Sequence, residues 1–354
     1  MLAERVLMKG NEAIAEAAIR AGCRHYFGYP ITPQTEIAAY MSRQMPKVGG
    51  VFLQAESEIA AINMVLGAAA AGVRAMTSSS SPGISLKSEG VSYIAGSDLP
   101  CVIVDCMRGG PGLGGIQPSQ SDYWQATKAY GHGDFQLLVF APNSVQEMVT
   151  AVFDAFENAD RFRMPAMVLA DGLLGQMMEP VVFPDRETVT YEKPWAVDGR
   201  HGKRSHNIVN SLYLSPKELE DTNVARFARY EEVKRLLPKA ETYLTEDADV
   251  VVAAFGATSR IVKSAVNSAR ALGIKAGMVR PYTLWPFPAE QIREGCEHAH
   301  DVLVVEMNMG QMVDDVKLAL NCAKPVSFFG HTGGIIPSPA EVLGQIKKLA
   351  GGEQ

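Results

Sequence analysis

Four short segments carry residue types that could do chemistry. Glu58 opens a run rich in small residues, Ala60, Ala61, Gly67, Ala68 and Ala69. A carboxylate in the first turn of a helix ordinarily does no more than offset the helix dipole. This helix is apolar on nearly every face, so its first turn is expected to be buried, and a buried carboxyl has a raised pKa and needs a donor. Arg108 stands at the base of Gly110-Pro111-Gly112-Leu113-Gly114-Gly115. That string fits G-x-G-x-x-G after a strand, but the dinucleotide fingerprint also needs a helix whose N-terminus meets the pyrophosphate. Pro118 and Ser119-Gln120-Ser121 follow too soon for one. Between a merely flexible loop and an active-site loop we favour the second, because a strand-terminal arginine beside closely approaching backbone is a ready carboxylate clamp.

Tyr29-Pro30-Ile31-Thr32-Pro33 sits where a strand ends and a helix begins. Thr32 as N-cap with Pro33 at the first helical position would account for both residues structurally. Alternatively Thr32, at the carboxyl end of a parallel strand, points its hydroxyl into the crevice where α/β proteins bind ligands. Thr77 to Gly83 is a hydroxyl-rich loop at another strand end, which ordinary turn chemistry also explains. His298 and His300 form H-x-H and His132 stands in Gly131-His132-Gly133-Asp134, without further clustered ligands, so no metal site is expected in this chain. The five cysteines are scattered and odd in number, which argues against a disulfide framework and against an iron-sulfur cluster. Met307, Met309 and Met312 read as core filler. No G-x-S-x-G, H-E-x-x-H or P-loop is present.

A frame must hold these segments, and the pattern supplies one. From Asn11, which is placed to cap the first helix, to about residue 172, helix-period runs alternate with strand-like runs, the signature of a parallel sheet covered by helices. Strands are expected at His25–Gly28, Val51–Gln54, Val73–Met76, Cys101–Cys106, Gln136–Phe140 and Ala166–Leu169. From about Glu179 to Asn210 the periodicity lapses among Pro180, Pro184 and Pro194. A charged helix follows at Pro216–Leu237, and a second α/β pattern begins at Asp249. We therefore divide the 354 residues into 1–235, with an extension over about 179–235, and 245–354. Lys+Arg 33 against Asp+Glu 39 leaves a net charge of −6, no basic field for nucleic acid or anionic lipid. With no secretory signal and no stretch long enough to span a bilayer, a cytoplasmic location is expected.

Lys9-Gly10-Asn11-Glu12-Ala13, Gly28 to Pro33, Gln54 to Ala61 and Arg108 to Pro111 together resemble the α subunit of 2-oxoacid:ferredoxin oxidoreductases, and the likeness covers essentially the whole chain. Within that family Gly28 to Glu36, Ser78 to Lys87 and Gly114 to Asp122 look closest to branched-chain members, with 2-oxoglutarate members as near neighbours. The resemblance implies an α/β thiamine-diphosphate-binding domain of the pyrimidine type, on a parallel sheet, followed by a transketolase C-terminal-like α/β domain. It implies that Glu58 holds the far nitrogen of the cofactor's aminopyrimidine, favouring the tautomer that removes the thiazolium C2 proton. Tyr29, Pro30 and Ile31 would line the cofactor, while Thr32 and Arg108 would hold the substrate carboxylate and carbonyl.

The family's G-D-G diphosphate motif is missing, with Ala170-Asp171-Gly172 the nearest string, and so are cluster cysteines. Mg2+ and [4Fe-4S] clusters are therefore expected on partners: a thiamine-diphosphate-binding β subunit, a γ subunit and a ferredoxin-like δ subunit, with coenzyme A as co-substrate and ferredoxin as acceptor. A noncatalytic assembly subunit would keep the fold without needing Glu58, Thr32 and Arg108 together. An apolar substrate pocket is the simpler reading. The one further cation that can be placed on a site loop is Lys87, which is expected to reach solvent.

Overall fold

Short apolar runs bounded by glycine and proline become strands, and the amphipathic segments between them become the helices that cover those strands. A computed structural model describes residues 5–351 apart from 129, 186, 187, 201 and 203. In chain order its first part holds β1 (Val6–Lys9), α1 (Gly10–Arg20), β2 (His25–Gly28), α2 (Thr35–Gln44), β3 (Val51–Gln54), α3 (Glu58–Ala70), β4 (Ala75–Ser79) and α4 (Ser81–Gly96). Then come β5 (Val102–Met107), α5 (Tyr123–Thr127), β6 (Leu138–Phe140), α6 (Val145–Phe162), β7 (Ala166–Asp171), α7 (Gly172–Gln176) and β8 (Met178–Val181). An irregular excursion leads to α8 (Pro216–Leu236). The second part holds β9 (Ala240–Tyr243), β10 (Val250–Ala253), α9 (Thr258–Ala271), β11 (Ala276–Pro281), β12 (Thr283–Trp285), α10 (Ala289–Gly295), β13 (Asp301–Glu306), α11 (Met312–Ala319), β14 (Val326–Gly330) and α12 (Pro339–Ala350).

Seven strands form one sheet in the order β12-β6-β7-β5-β4-β2-β3, parallel except at the β12 edge. Helices α1, α2 and α6 pack together, and α3 packs with α4. The chain steps from β2 outward to β3 and then back past β2 to β4, so the order reverses between β2 and β4. Loops leaving the carboxyl ends of those two strands therefore run to opposite sides, the arrangement at which open α/β sheets form a ligand crevice. β5, near the middle, is buried at all six positions, including Asp105. The second sheet, β14-β13-β10-β11-β9, is parallel apart from β9. No helix among the described residues is long and apolar enough to cross a membrane.

Several expectations are corrected. Asn11 does not cap α1: the helix already starts at Gly10, and Asn11 is buried inside it, its amide donating to the Pro33 carbonyl and to Glu36, each at 2.8 Å. Thr32 is no N-cap either, because α2 starts only at Thr35. The carbonyls that would open an earlier helix are already taken, that of Thr32 by Arg108 and that of Pro33 by Asn11 and Gln176. The segment after α7 first returns as β8 to pair antiparallel with β1 before the irregular excursion begins. β12, from the second α/β pattern, crosses to extend the first sheet beside β6. Met307 and Met312 are buried as expected, whereas Met309 is exposed.

Candidate functional site

The carboxyl ends of β2, β3, β4 and β5 deliver four loops to one edge of the sheet, and the candidate residues sit on them. Glu58 follows β3 at the start of α3, where Ser57 caps the helix by accepting the Ala60 amide at 3.1 Å. The Glu58 side chain is 6% exposed. No group among the described residues donates a hydrogen bond to its carboxyl, which is unusual for a buried acid. Its Oε1 presses against the bare face of Gly83 on α4, where an added Cβ would meet Oε1 at 2.6 Å and Ser79 Oγ at 2.2 Å. Only glycine permits that approach. The hydroxyls of Thr77, Ser79 and Ser80 are buried without partners among the described residues. Helix α3 is not buried all round: Ile59, Asn63 and Gly67 form an exposed stripe on the face away from α4.

Lys87, one turn beyond Gly83, departs furthest from its sequence reading. It is fully buried rather than solvated, and its Nζ donates to the Glu58 backbone carbonyl at 3.3 Å. Burial lowers its pKa to about 8, opposed by the field of Glu58.

Arg108 and Thr32 are brought together. The Arg108 terminal nitrogens donate to the carbonyls of Thr32 and Leu113, both at 3.0 Å, while its Nε is buried and has no partner among the described residues. The Thr32 side chain lies at the surface. The glycine string is a tight return: Gly115 N donates to Gly109 O at 2.9 Å, and Gly114, at φ +59°, has no room for a Cβ against that carbonyl. No helix begins until Tyr123, so the pyrophosphate geometry is missing. Below Arg108, the Ser81 amide donates to Asp105 at 3.3 Å, and the Ser81 hydroxyl donates to Asp122 and accepts the Arg108 amide at 3.0 Å. Burial and the neighbouring Asp122 hold the Asp105 carboxyl well above the usual range, and burial also raises Asp122.

Tyr29, Pro30 and Ile31 lie on the exposed to half-exposed lip after β2. Gln34 anchors that lip: its amide donates to the Tyr29 carbonyl at 3.2 Å and accepts Ser78 Oγ at 2.6 Å, which in turn meets Tyr26. The sequence reading gave Ser81 only as part of a hydroxyl-rich turn and assigned no role to Gln34, Asp105 or Asp122. Asp105 carried a signal, a lone acid within Val-Ile-Val-Asp-Cys-Met; Gln34 carried none. Asp171 is committed elsewhere, its oxygens accepting the amides of Leu174 at 3.0 Å and Ala257 at 3.3 Å.

A buried carboxyl without a donor, beside unpaired hydroxyls in a crevice at a strand-order reversal, suits a flat nitrogen-bearing ring. Glu58 would accept from or donate to a ring nitrogen, and the arrangement therefore fits an aminopyrimidine. Among the described residues no cluster of three acids, histidines or cysteines could hold a metal beside it.

Comparison with known proteins gives the family. Residues 16–239 match the family described as pyruvate flavodoxin/ferredoxin oxidoreductase, thiamine diphosphate-binding, and residues 248–342 match pyruvate:ferredoxin oxidoreductase core domain II. The chain is 50% identical over 346 residues to ketoisovalerate oxidoreductase subunit VorB of Methanothermobacter marburgensis, covering 98% of each. It is 38% identical to 2-oxoglutarate synthase subunit KorA of the same organism, covering 98% of this chain and 99% of that one. Among solved structures, 2-oxoglutarate:ferredoxin oxidoreductase from Magnetococcus marinus, with 2-oxoglutarate, coenzyme A and succinyl-CoA bound, superposes with a TM-score of 0.88 at 28% identity. That likeness covers 98% of this chain but 66% of the other.

Proposed function

Because this chain belongs to the α subunits of the 2-oxoacid:ferredoxin oxidoreductases, we propose that it supplies the aminopyrimidine-binding half of a thiamine diphosphate site completed by a second polypeptide. The assembled cytoplasmic enzyme oxidatively decarboxylates 3-methyl-2-oxobutanoate. It forms the acyl-CoA and CO2 and passes two electrons singly to ferredoxin. Diphosphate, Mg2+ and [4Fe-4S] clusters are held by β, γ and ferredoxin-like δ partners.

The observation that carries this reading is the donorless buried carboxyl of Glu58. When bound, thiamine diphosphate supplies a carbon nucleophile for the 2-oxo carbon and a sink for the electrons left when CO2 departs. Glu58 holds the ring nitrogen and exchanges a proton with it, which a neutral amide could not do. Arg108, oriented by the Thr32 and Leu113 carbonyls, keeps its Nε–H for the substrate carboxylate. Thr32 lies beside it, and its hydroxyl would reach the substrate carbonyl. The exposed apolar rim of Tyr29, Ile59, Leu113 and Ile116 gives the partner polypeptide a surface that would close the crevice and exclude water.

The branched substrate is supported by the 50% identity to a ketoisovalerate oxidoreductase subunit and by the position of Lys87. A second carboxylate would need a dedicated cation, and Lys87 is turned under Glu58 rather than toward the crevice. The test is kcat/KM for the two acids in the reconstituted complex with a viologen acceptor. We expect 3-methyl-2-oxobutanoate to be preferred by about 10-fold or more; preference for 2-oxoglutarate overturns the assignment. The isolated chain should turn over neither acid.

A further inference from the structure

Lys87 lies on the turn of α4 that faces the start of α3, and among the described residues nothing in contact neutralises it. Among those residues its Nζ makes a single long hydrogen bond, to the Glu58 carbonyl, although an ammonium carries three donors, and it forms no ion pair. The charged group whose field reaches it is Glu58 of α3. Glu89 on α4 turns outward to Tyr93. Asp105, on β5 beneath the start of α4, faces Ser81 and Asp122 instead. His132 meets Ser92 further along the helix. A wholly buried ammonium with one weak acceptor is costly to fold around, and hydrophobic packing alone would be served by methionine.

We propose that Lys87 is a positioning residue for Glu58: its buried positive charge favours the carboxylate that is left when the Glu58 carboxyl gives its proton to the cofactor's ring nitrogen, and so biases the shared proton toward that nitrogen. The inference rests on the thiamine diphosphate reading above. It also gives the site a built-in pH dependence. Burial brings the Lys87 pKa to about 8. Above that pH the charge is lost and the bias with it.

The test uses the assembled complex, first without cofactor. Lys87 holds its proton more weakly in the fold than at its ordinary value of 10.5. Between those values the unfolded chain binds more protons, so the fold gains stability as pH rises. Thermal unfolding of the wild type should show that gain and Lys87→Met should lack it. Glu58→Gln should begin the gain at lower pH, because the field that supports the ammonium is gone; a gain beginning at the wild-type pH overturns the proposal.

In the loaded complex, exchange of the thiazolium C2 proton should slow about 10-fold in Lys87→Met. Lys87→Arg should recover the rate, and Lys87→Met should lose the decline above pH 8. Wild-type exchange in Lys87→Met beside slow exchange in Glu58→Gln overturns the proposal and leaves the role of Glu58 standing. Wild-type exchange in both overturns the cofactor reading beneath it. Lys87→Gln, which also removes the charge, repeats each arm should Lys87→Met assemble poorly.

Discussion

Two clusters of buried polar residues lie near the carboxyl edge of the large sheet, and they are built on opposite terms. Where the two α/β parts meet, Gln120 uses every group it has. Its amide donates to Met307 O at 3.0 Å and its carbonyl accepts Asn308 at 2.8 Å. Its side chain donates to Phe255 O at 2.8 Å and accepts Thr258 at 2.8 Å and Met307 N at 3.1 Å. Close by, the Glu306 carboxylate accepts the amides of Gln311, Met312 and Val313 and the Asn308 side chain, all between 2.9 and 3.1 Å. Around Glu58 the reverse holds among the described residues: a carboxyl without a donor, three hydroxyls without partners and an ammonium with one long bond. Both clusters lie out of water, and among the described residues only the first pairs its polar groups within the chain. A closed network holds a fold together, and an open one is set for something not yet bound.

That contrast can be broken at either end. The largest effect is expected from Arg280→Ala on the closed side. Arg280 is buried and donates to both Glu147 oxygens, at 2.9 and 2.8 Å, and to Glu241 at 2.8 Å. Loss should cost about 2–4 kcal/mol in urea unfolding, less than for a fully buried pair because both carboxylates are about one-third exposed. Activity per folded molecule should be unchanged.

Glu58→Gln is the mirror experiment. C2 exchange in the complex should fall by roughly 100-fold, about 2.7 kcal/mol, while the unfolding midpoint barely moves. A destabilisation as large as that of Arg280→Ala, with exchange intact, would return Glu58 to a structural role. Gln120→Ala should destabilise by about 1–3 kcal/mol, since it strands the Thr258, Phe255 and Met307 groups. Because Gln120 braces the loop that carries Arg108, KM for the oxoacid should rise more than kcat falls.

The smallest effect concerns pH. Burial pushes Asp171 up to about 6 from an ordinary 3.8. Between those values the fold binds more protons than the unfolded chain, so this group's contribution to stability falls as pH rises through the window and is flat above it. Relative to Asp171→Asn, the wild type should gain on the order of 1 kcal/mol when urea midpoints at pH 6.5 and 4.5 are compared. An unchanged difference would mean that Asp171 stays ionised.

Periodicity and punctuation alone were enough for the two α/β patterns, the strands ending at Gly28 and Gln54, and the helices opening at Glu58 and Pro216. Those features depend on residues close in sequence, whose side-chain spacing matches the helix or strand period. The resemblance of short motifs was enough to nominate Glu58, Thr32 and Arg108. What the residue string could not contain was which distant groups occupy one another. The Thr32 cap failed because Asn11, Arg108 and Gln176, far apart along the chain, take the carbonyls that would have begun the helix. Lys87 looked like a solvated lysine until α4 packed on α3 and closed water away from it. Asp105 came under the charge of Asp122 when that loop folded over it, and its carboxyl is held well above the usual range. β12 left its own pattern for the edge of another sheet. Local conformation follows from neighbouring residues; burial, and with it the charge state and hydrogen-bond partners of a site, follows from contacts between segments that the sequence order leaves far apart.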